Sequence, residues 1–416
     1  MKSFLQGREI AILLLLFLLF SFCFFFANQE HLIVVNDTMT YVTPAENLLA
    51  GHGFLNGSGK ADTSRTPGYP LFLCLVFLLG GGLREIVFLQ IFLSALSIYL
   101  CYRICRLLRL RESMALLCTG AYLLNLSTYI YQSYVVSDLF FYDMLTIALF
   151  FLVKYIKEKR ISSFIGFTVL LNFALWVRPI TIYFNLLVAA VLIVLLLFKK
   201  LPLKEVFCYM VCFALMIGGW CARNYRVSGV FEYSSIRNLN LMYYDASGLR
   251  GEIDGISFEK AQELFEQEFN TEYGDAVDGL SEAQVRQLYG KIGSRYIKAH
   301  FGRYLIKNVR GLFLEFFGPN SSVLKTTIPN RGLRLAVTAL YEIYLAAVYV
   351  LYAIGFLKNI RRLSLTDWFI FLLSGYLAAA SASLGYARFR VAWFGLIVLG
   401  GFLLTGEKEE QADHEA

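Results

Sequence analysis

The chain has 416 residues, of which 57% are hydrophobic and 17% charged, against roughly 25% charged in soluble domains, and its mean hydropathy is +0.58. Apolar residues fill run after run instead of alternating with polar faces, which excludes a soluble multidomain protein and predicts an all-α polytopic membrane protein. The net charge of +7 (38 Lys and Arg against 31 Asp and Glu) falls mostly in short segments between apolar runs, so it reads as a topology signal and not as a nucleic-acid surface.

The first apolar run, 10–27, follows Lys2 and Arg8, is long enough to span, and lacks a small-x-small cleavage site. It is expected to stay as a signal anchor. Further spans are expected at about 84–107, 113–131, 135–153, 161–177, 180–198, 203–220, 335–357, 366–384 and 390–405, each near the roughly 20 residues that hydrocarbon requires. That makes about ten, with both termini on one side. The short run 67–82 opens with Pro67-Gly68-Tyr69-Pro70 and closes with three glycines. If it does not cross, the clusters Arg103/Arg106/Arg109/Arg111, Lys154/Lys157/Lys159/Arg160, Lys199/Lys200/Lys204 and Lys358/Arg361/Arg362 all fall on the side of Lys2 and Arg8, as the positive-inside rule asks. It is therefore expected to be a re-entrant or juxtamembrane element on the outer side.

Three parts follow: a membrane core over 1–220 with a first outer loop at 28–83, an extracytoplasmic segment at 221–334, and a three-span module with a cytoplasmic tail at 335–416. In the second, Ser281-Glu282-Ala283-Gln284 is a capping-box pattern. Val285, Leu288, Ile292, Tyr296, Leu305, Val309, Leu312 and Phe316 continue it at helical spacing, predicting an amphipathic helix on the outer membrane face. Lys298, Arg303, Lys307 and Arg310 form part of its basic face and are assigned to anionic lipid. No internal repeat or pair of matching broken helices is evident, which weighs against a transporter built on inverted repeats.

The eight cysteines lie in apolar runs or at their edges, with no His at ligand spacing, so neither a disulfide framework nor a cysteine metal site is indicated. Asp143 and Glu342, inside spans, are assigned to hydrogen bonds within the bundle. Asn36-Asp37-Thr38 and Asn56-Gly57-Ser58 match the glycosylation sequon and are read as unmodified. No phosphate-binding loop, dinucleotide fingerprint or nucleotide-sugar acid pair is present.

Chemistry is expected in the outer segments. The first outer loop reads Asn36-Asp37-Thr38, then Ala50-Gly51-His52-Gly53-Phe54, then Arg65-Thr66-Pro67-Gly68-Tyr69-Pro70. An acidic residue just after the first span, a helix ending in Gly-x-Gly-Phe and an Arg-x-Pro-Gly-Tyr-Pro element together resemble the GT-C superfamily of membrane glycosyltransferases. The likeness is to bacterial relatives of the protein O-mannosyltransferases and of the lipid A aminoarabinose transferase. Trp176-Val177-Arg178-Pro179, Arg223-Asn224-Tyr225-Arg226 and Ala387-Arg388-Phe389-Arg390 extend it over most of the chain.

The resemblance implies an inverting transfer of a single sugar from a polyprenyl-phosphate donor to an acceptor hydroxyl of the envelope, on the outer face of a bacterial plasma membrane. The partners are then the lipid-linked donor, the bilayer and an unassigned acceptor, with no nucleic acid and no cofactor. By resemblance Asp37 is the general base. Arg65, Arg178, Arg223 and Arg388 are candidates for the donor phosphate, because guanidinium binds phosphate in bidentate fashion. Tyr69 is a candidate for packing against the sugar or the prenyl chain, and Asp138 is a second-tier site residue. At the membrane boundary burial should raise the pKa of Asp37 and nearby arginines should lower it. The sequence departs from the family in lacking a second acid beside Asp37 or just before Arg65, so no required metal is expected. The alternatives are a flippase of lipid-linked glycans, with Asp143 and Glu342 as coupling groups, and a ligase or polymerase of such glycans.

Overall fold

The computed structural model describes residues 2–319 and 321–409, and their side chains except those of residues 2–6, 321 and 322. The Lys2 side chain and the tail beyond residue 409, both used in reading the topology, lie outside it. In hydrocarbon every backbone N–H and C=O must be paired within its own segment, so long apolar runs become helices. No strand forms among the described residues.

In chain order the helices are α1 (Lys2–Leu32), α2 (Met39–Leu49), α3 (Gly68–Leu78), α4 (Leu83–Leu107), α5 (Glu112–Leu123), α6 (Leu126–Gln132), α7 (Ser137–Glu158), α8 (Ile161–Val177), α9 (Ile182–Leu197) and α10 (Leu203–Phe213). Then follow α11 (Gly219–Ser228), α12 (Ile236–Asn240), α13 (Ser247–Asp254), α14 (Phe258–Tyr273), α15 (Glu282–Ala299), α16 (Phe301–Phe317), α17 (Ser321–Thr327), α18 (Arg331–Asn359), α19 (Leu365–Ser381) and α20 (Phe394–Thr405). Among the described residues, six stretches are long and apolar enough to cross a bilayer: Gly7–Leu32, Leu83–Leu107, Ser137–Glu158, Pro179–Leu197, Leu203–Ser228 and Arg331–Arg362. The pair α5 and α6, bent by 57°, makes a seventh if it is one span, and α8, α19 and α20 are shorter apolar helices beside them. This is a multi-pass membrane protein with an all-α architecture.

All ten expected spans fall on helix, with three differences. The run 113–131 breaks between α5 and α6, around Leu124 and Asn125. The run 203–220 continues through a π-helical turn at Ala214–Gly218 and ends only at Ser228, where Gly229 (φ +72°) closes it in the left-handed region. The last run starts at Phe394, because Ala387–Ala392 wind into a 3-10 turn. The short helix α3 spans about 16 Å, roughly half the hydrocarbon thickness. It exposes Leu71, Leu75 and Leu78 on its flank, as an element embedded in one leaflet would.

The basic loops gather at one end of the bundle. The backbone of Arg111 donates to Glu407 and that of Glu409 donates to Arg109, while Arg106 pairs with Glu409 at 2.8 Å. Asn359, beside the Lys358/Arg361/Arg362 cluster, donates to the Leu404 carbonyl at 2.9 Å. The central span α7, the most enclosed of the long helices, runs from Asp138 at the opposite end to its lysines at this one, about 33 Å.

At that opposite end, a small separate core forms within residues 241–304 from Met242, Leu249, Phe265, Phe269, Ile292 and Ile297. The capping box forms: the Ser281 side chain accepts from the Gln284 amide, and the Gln284 side chain accepts from Ser281 N–H. The single amphipathic helix expected from there to Phe316 is instead two, broken at His300. The break separates two jobs. α15 turns Ile292 and Ile297 into the small core, whereas α16 exposes Phe301, Leu305, Val309 and Phe313 along one stripe.

Candidate active site

Asp37 lies in the turn between α1 and α2, where its carbonyl accepts the Thr40 amide and hydroxyl, at 3.0 and 2.6 Å. Buried Thr38 accepts the Val35 amide at 3.0 Å and fixes the turn. The carboxylate is thus free to face inward across the top of the bundle. Asp138 sits in the first turn of α7 and is fully buried.

Arg65 is placed by an Asx-type turn. The Asp62 carboxylate accepts the amides of Ser64 and Arg65 at 2.6 and 3.2 Å, which gives Asp62 a structural task. Next to it, Thr66 donates to the Val177 carbonyl at 3.2 Å. A Cβ on Gly68 would stand 2.6 Å from the backbone of Trp176, so only glycine lets the start of α3 touch the end of α8. The Pro67-Gly68 element therefore brings Arg65 beside Arg178, which ends α8 just before Pro179. Gly68→Ala is expected to cost about 1–3 kcal/mol by forcing this backbone contact apart. A thermal melt of the purified protein checks it.

The four residues converge on one network with Arg388. Arg388 Nη1 donates to Asp37 at 2.7 Å, while its Nη2 and Nε donate to Asp138 at 2.7 and 3.1 Å. Arg65 Nη2 donates to the other oxygen of Asp37 at 3.2 Å, and Arg178 pairs with the other oxygen of Asp138. Arg178 also lies over the Phe389 ring, 5.7 Å from its centre. Arg388 thereby bridges two carboxylates that are 101 residues apart in sequence (138 minus 37). Asp138 is a full member of the centre. Three guanidiniums face two carboxylates, which leaves one positive charge in excess.

The opposing effects expected on Asp37 are resolved in favour of the arginines. Burial pushes its carboxyl up, but Arg388 and then Arg65 outweigh it and hold the group below the usual carboxylate range. Arg388 itself is held above its ordinary value, since Asp138 and Asp37 outweigh the burial of its charge.

Two candidates stand elsewhere. Arg223 donates to the carbonyls of Asp62 and Phe54 and is stacked over the Trp220 and Phe54 rings, at 4.9 and 5.4 Å. It clamps the loop that carries Arg65, one step removed from the carboxylates. Tyr69 is fully buried between Tyr41, Phe72 and Phe140. Its hydroxyl donates to Gln90 at 2.7 Å, and the Gln90 amide donates to the carbonyls of Gln132 and Tyr134, steadying the approach to α7. In this conformation no face of Tyr69 is open to a sugar.

Sequence reasoning missed Tyr41 and Ser137. The Tyr41 hydroxyl accepts from Arg65 at 3.2 Å and bonds Ser137 at 2.9 Å, with the Arg65 guanidinium 4.5 Å from its ring centre. The available signal was spacing, since Tyr41 lies four residues from Asp37 and Ser137 adjoins Asp138. Ser235 was missed as well. Its amide donates to the Thr63 carbonyl at 2.9 Å and its hydroxyl bonds that of Thr63 at 3.0 Å, which interlocks the 50–66 loop with the chain after α11 beside Arg65.

No family model and no curated protein matches the sequence. Among solved structures, the chain is similar to ArnT from Cupriavidus metallidurans, crystallised bound to undecaprenyl phosphate, at 13% identity and a TM-score of 0.44, over 94% of this chain and 77% of that one.

Proposed function

We propose that the chain is an inverting glycosyltransferase of the GT-C type, which moves a single sugar from a polyprenyl-phosphate donor to a hydroxyl of an envelope acceptor at the outer face of the plasma membrane. The observation that carries this reading is Arg388 held between Asp37 and Asp138, with Arg65 and Arg178 beside it, at the bundle end away from the basic loops. By the positive-inside rule that end is the outer one.

The charges account for the reaction at both of its ends. The site carries a net +1, and the phosphodiester of the donor carries −1. The acceptor oxygen attacks the anomeric carbon, the bond from that carbon to the phosphate oxygen breaks with its electrons leaving on phosphate, and the hydroxyl proton passes to Asp37. Attack on the face opposite the leaving group inverts the centre. Afterwards Asp37 is neutral, the site carries +2, and the phosphate monoester carries close to −2. The arginines thus gain interaction as charge develops on the leaving group, which is where electrostatic catalysis is effective. Arg65, Arg178 and Arg388 hold the phosphate, and Arg223 acts through the Arg65 loop. An oily donor diffusing in the bilayer fits a site set at the ends of spans.

The test supplies purified protein with radiolabelled polyprenyl-phosphate hexoses and pentoses and a crude envelope extract. Label leaving the lipid with inverted configuration in the product is the expected result. Retention of all label on every donor would overturn the reading.

A further inference from the structure

Arg388 has no helix to hold it, because it sits in the isolated 3-10 turn Ala387–Ala392 between α19 and α20. A phosphate ligand that bridges two carboxylates needs a fixed backbone, and the turn gains one from α16. Along α16, Lys307, Gly311 and Glu315 recur every four residues on the face that meets the chain around this turn. Lys307 donates to the Ser383 carbonyl at 2.5 Å. A Cβ on Gly311 would fall 1.9 Å from the Ala382 carbonyl oxygen, so the two backbones are in direct contact. Glu315 accepts from the Ser381 hydroxyl at 2.9 Å and from the Trp393 indole at 2.5 Å.

Arg390 completes the arrangement. It is fully buried, and its Nη1 donates to the carbonyls of Glu315, Phe316 and Gly318, at 3.1, 2.7 and 3.2 Å. Those are carbonyls at the C-terminal end of α16, which lack partners within the helix and carry the negative end of its dipole. Residues two apart in a 3-10 turn point about 240° apart. Arg390 therefore reaches back to α16 while Arg388 reaches forward to the carboxylates.

We infer that Arg390 and Glu315 are positioning residues, which clamp the 387–392 turn onto the end of α16 and so set where the Arg388 guanidinium stands. The role assigned to Arg388 rests on the function proposed above.

Hydrogen exchange and binding of undecaprenyl phosphate, measured on full-length protein, test the inference in Arg390→Met, Glu315→Ala and Arg390→Lys. The Met and Ala variants remove the clamp from its two sides, whereas Lys keeps a cation that can reach the carbonyls. In the Met and Ala variants, amides of 387–393 are expected to exchange at least about tenfold faster, with α4 and α7 unchanged, and the Kd for undecaprenyl phosphate to rise about tenfold. Lys should restore most of both. Unchanged exchange of the turn in both disrupted variants overturns the inference, as does faster exchange with Kd held at the wild-type value. If the wild type binds no undecaprenyl phosphate, the functional reading is what fails. The exchange data then decide the clamp alone: release of the turn by Arg390→Met supports it, and no release overturns it.

Discussion

Asp37→Asn is expected to lower sugar transfer by a factor of about 100 or more, the contribution of a well-placed general base, while the protein stays folded. Asn keeps the size and the hydrogen-bonding oxygen but has no useful basicity. The fold should survive because neither arginine is stranded. Arg65 retains the Tyr41 hydroxyl and ring, and Arg388 retains both of its bonds to Asp138. The same residue is expected to set the acid limb of kcat/KM. Its folded pKa lies below the ordinary carboxylate value, so the carboxylate form, and with it activity, persists as pH falls past roughly 3.9 and is lost only on passing through the lower folded value. The stability contributed by its ion pairs follows the same sign: present above the unfolded pKa and lost as pH falls through the folded one. An Asn variant that transfers at the wild-type rate would remove Asp37 from the chemistry.

Asp138→Ala is expected to be the most damaging change to stability, at about 3–5 kcal/mol. The carboxylate is 1% exposed and accepts from Arg178 and Arg388, which are themselves largely shielded. Its removal leaves two partly buried guanidiniums without their counterion, and an uncompensated buried charge costs more than the pair is worth. Arg388 would also lose the anchor that holds it over Asp37, so transfer should fall along with the melting temperature. Asp138→Asn keeps acceptor atoms for both arginines and should fall between Ala and wild type. Equal melting temperatures for all three would mean that the network carries no structural load.

How much of this was legible in the sequence follows from which constraints are local. The apolar runs are stretches of one chemistry, so all ten could be placed on helix from the sequence, although only six or seven of the described helices are long and apolar enough to cross on their own. The short run 67–82 was set apart by charge, since leaving it uncrossed puts the basic clusters on one side; by length alone α3 is nearly as good a candidate as α20. The ends were less legible. The helix read as stopping at residue 220 continues to Ser228, since Trp220 and Arg223 find partners in Phe54 and the 54–62 backbone that no periodicity reports. The amphipathic pattern crosses His300 without interruption, yet the chain breaks there because α15 packs into the small separate core while Leu312 and Phe316 of α16 pack against the main one.

For the site, the family resemblance pointed to Asp37, and guanidinium chemistry at predicted membrane boundaries pointed to Arg65, Arg178 and Arg388. Their mutual geometry depends on Gly68 meeting Trp176 and on α16 holding the 387–392 turn, contacts 108 and 71 or more residues apart (176 minus 68; 387 minus 316). Arg223 and Tyr69 share the same local signals as the others, and only the fold separates the clamp and the buried scaffold from the residues that face the carboxylates.

Direct titration of undecaprenyl phosphate into purified wild type and Arg388→Ala tests, without any acceptor, whether the arginine and carboxylate centre receives a lipid phosphate. Saturable binding by the wild type that weakens with rising salt, as charge pairing requires, is expected, with a loss of at least about tenfold in affinity in the variant. Equal binding by both proteins would contradict it.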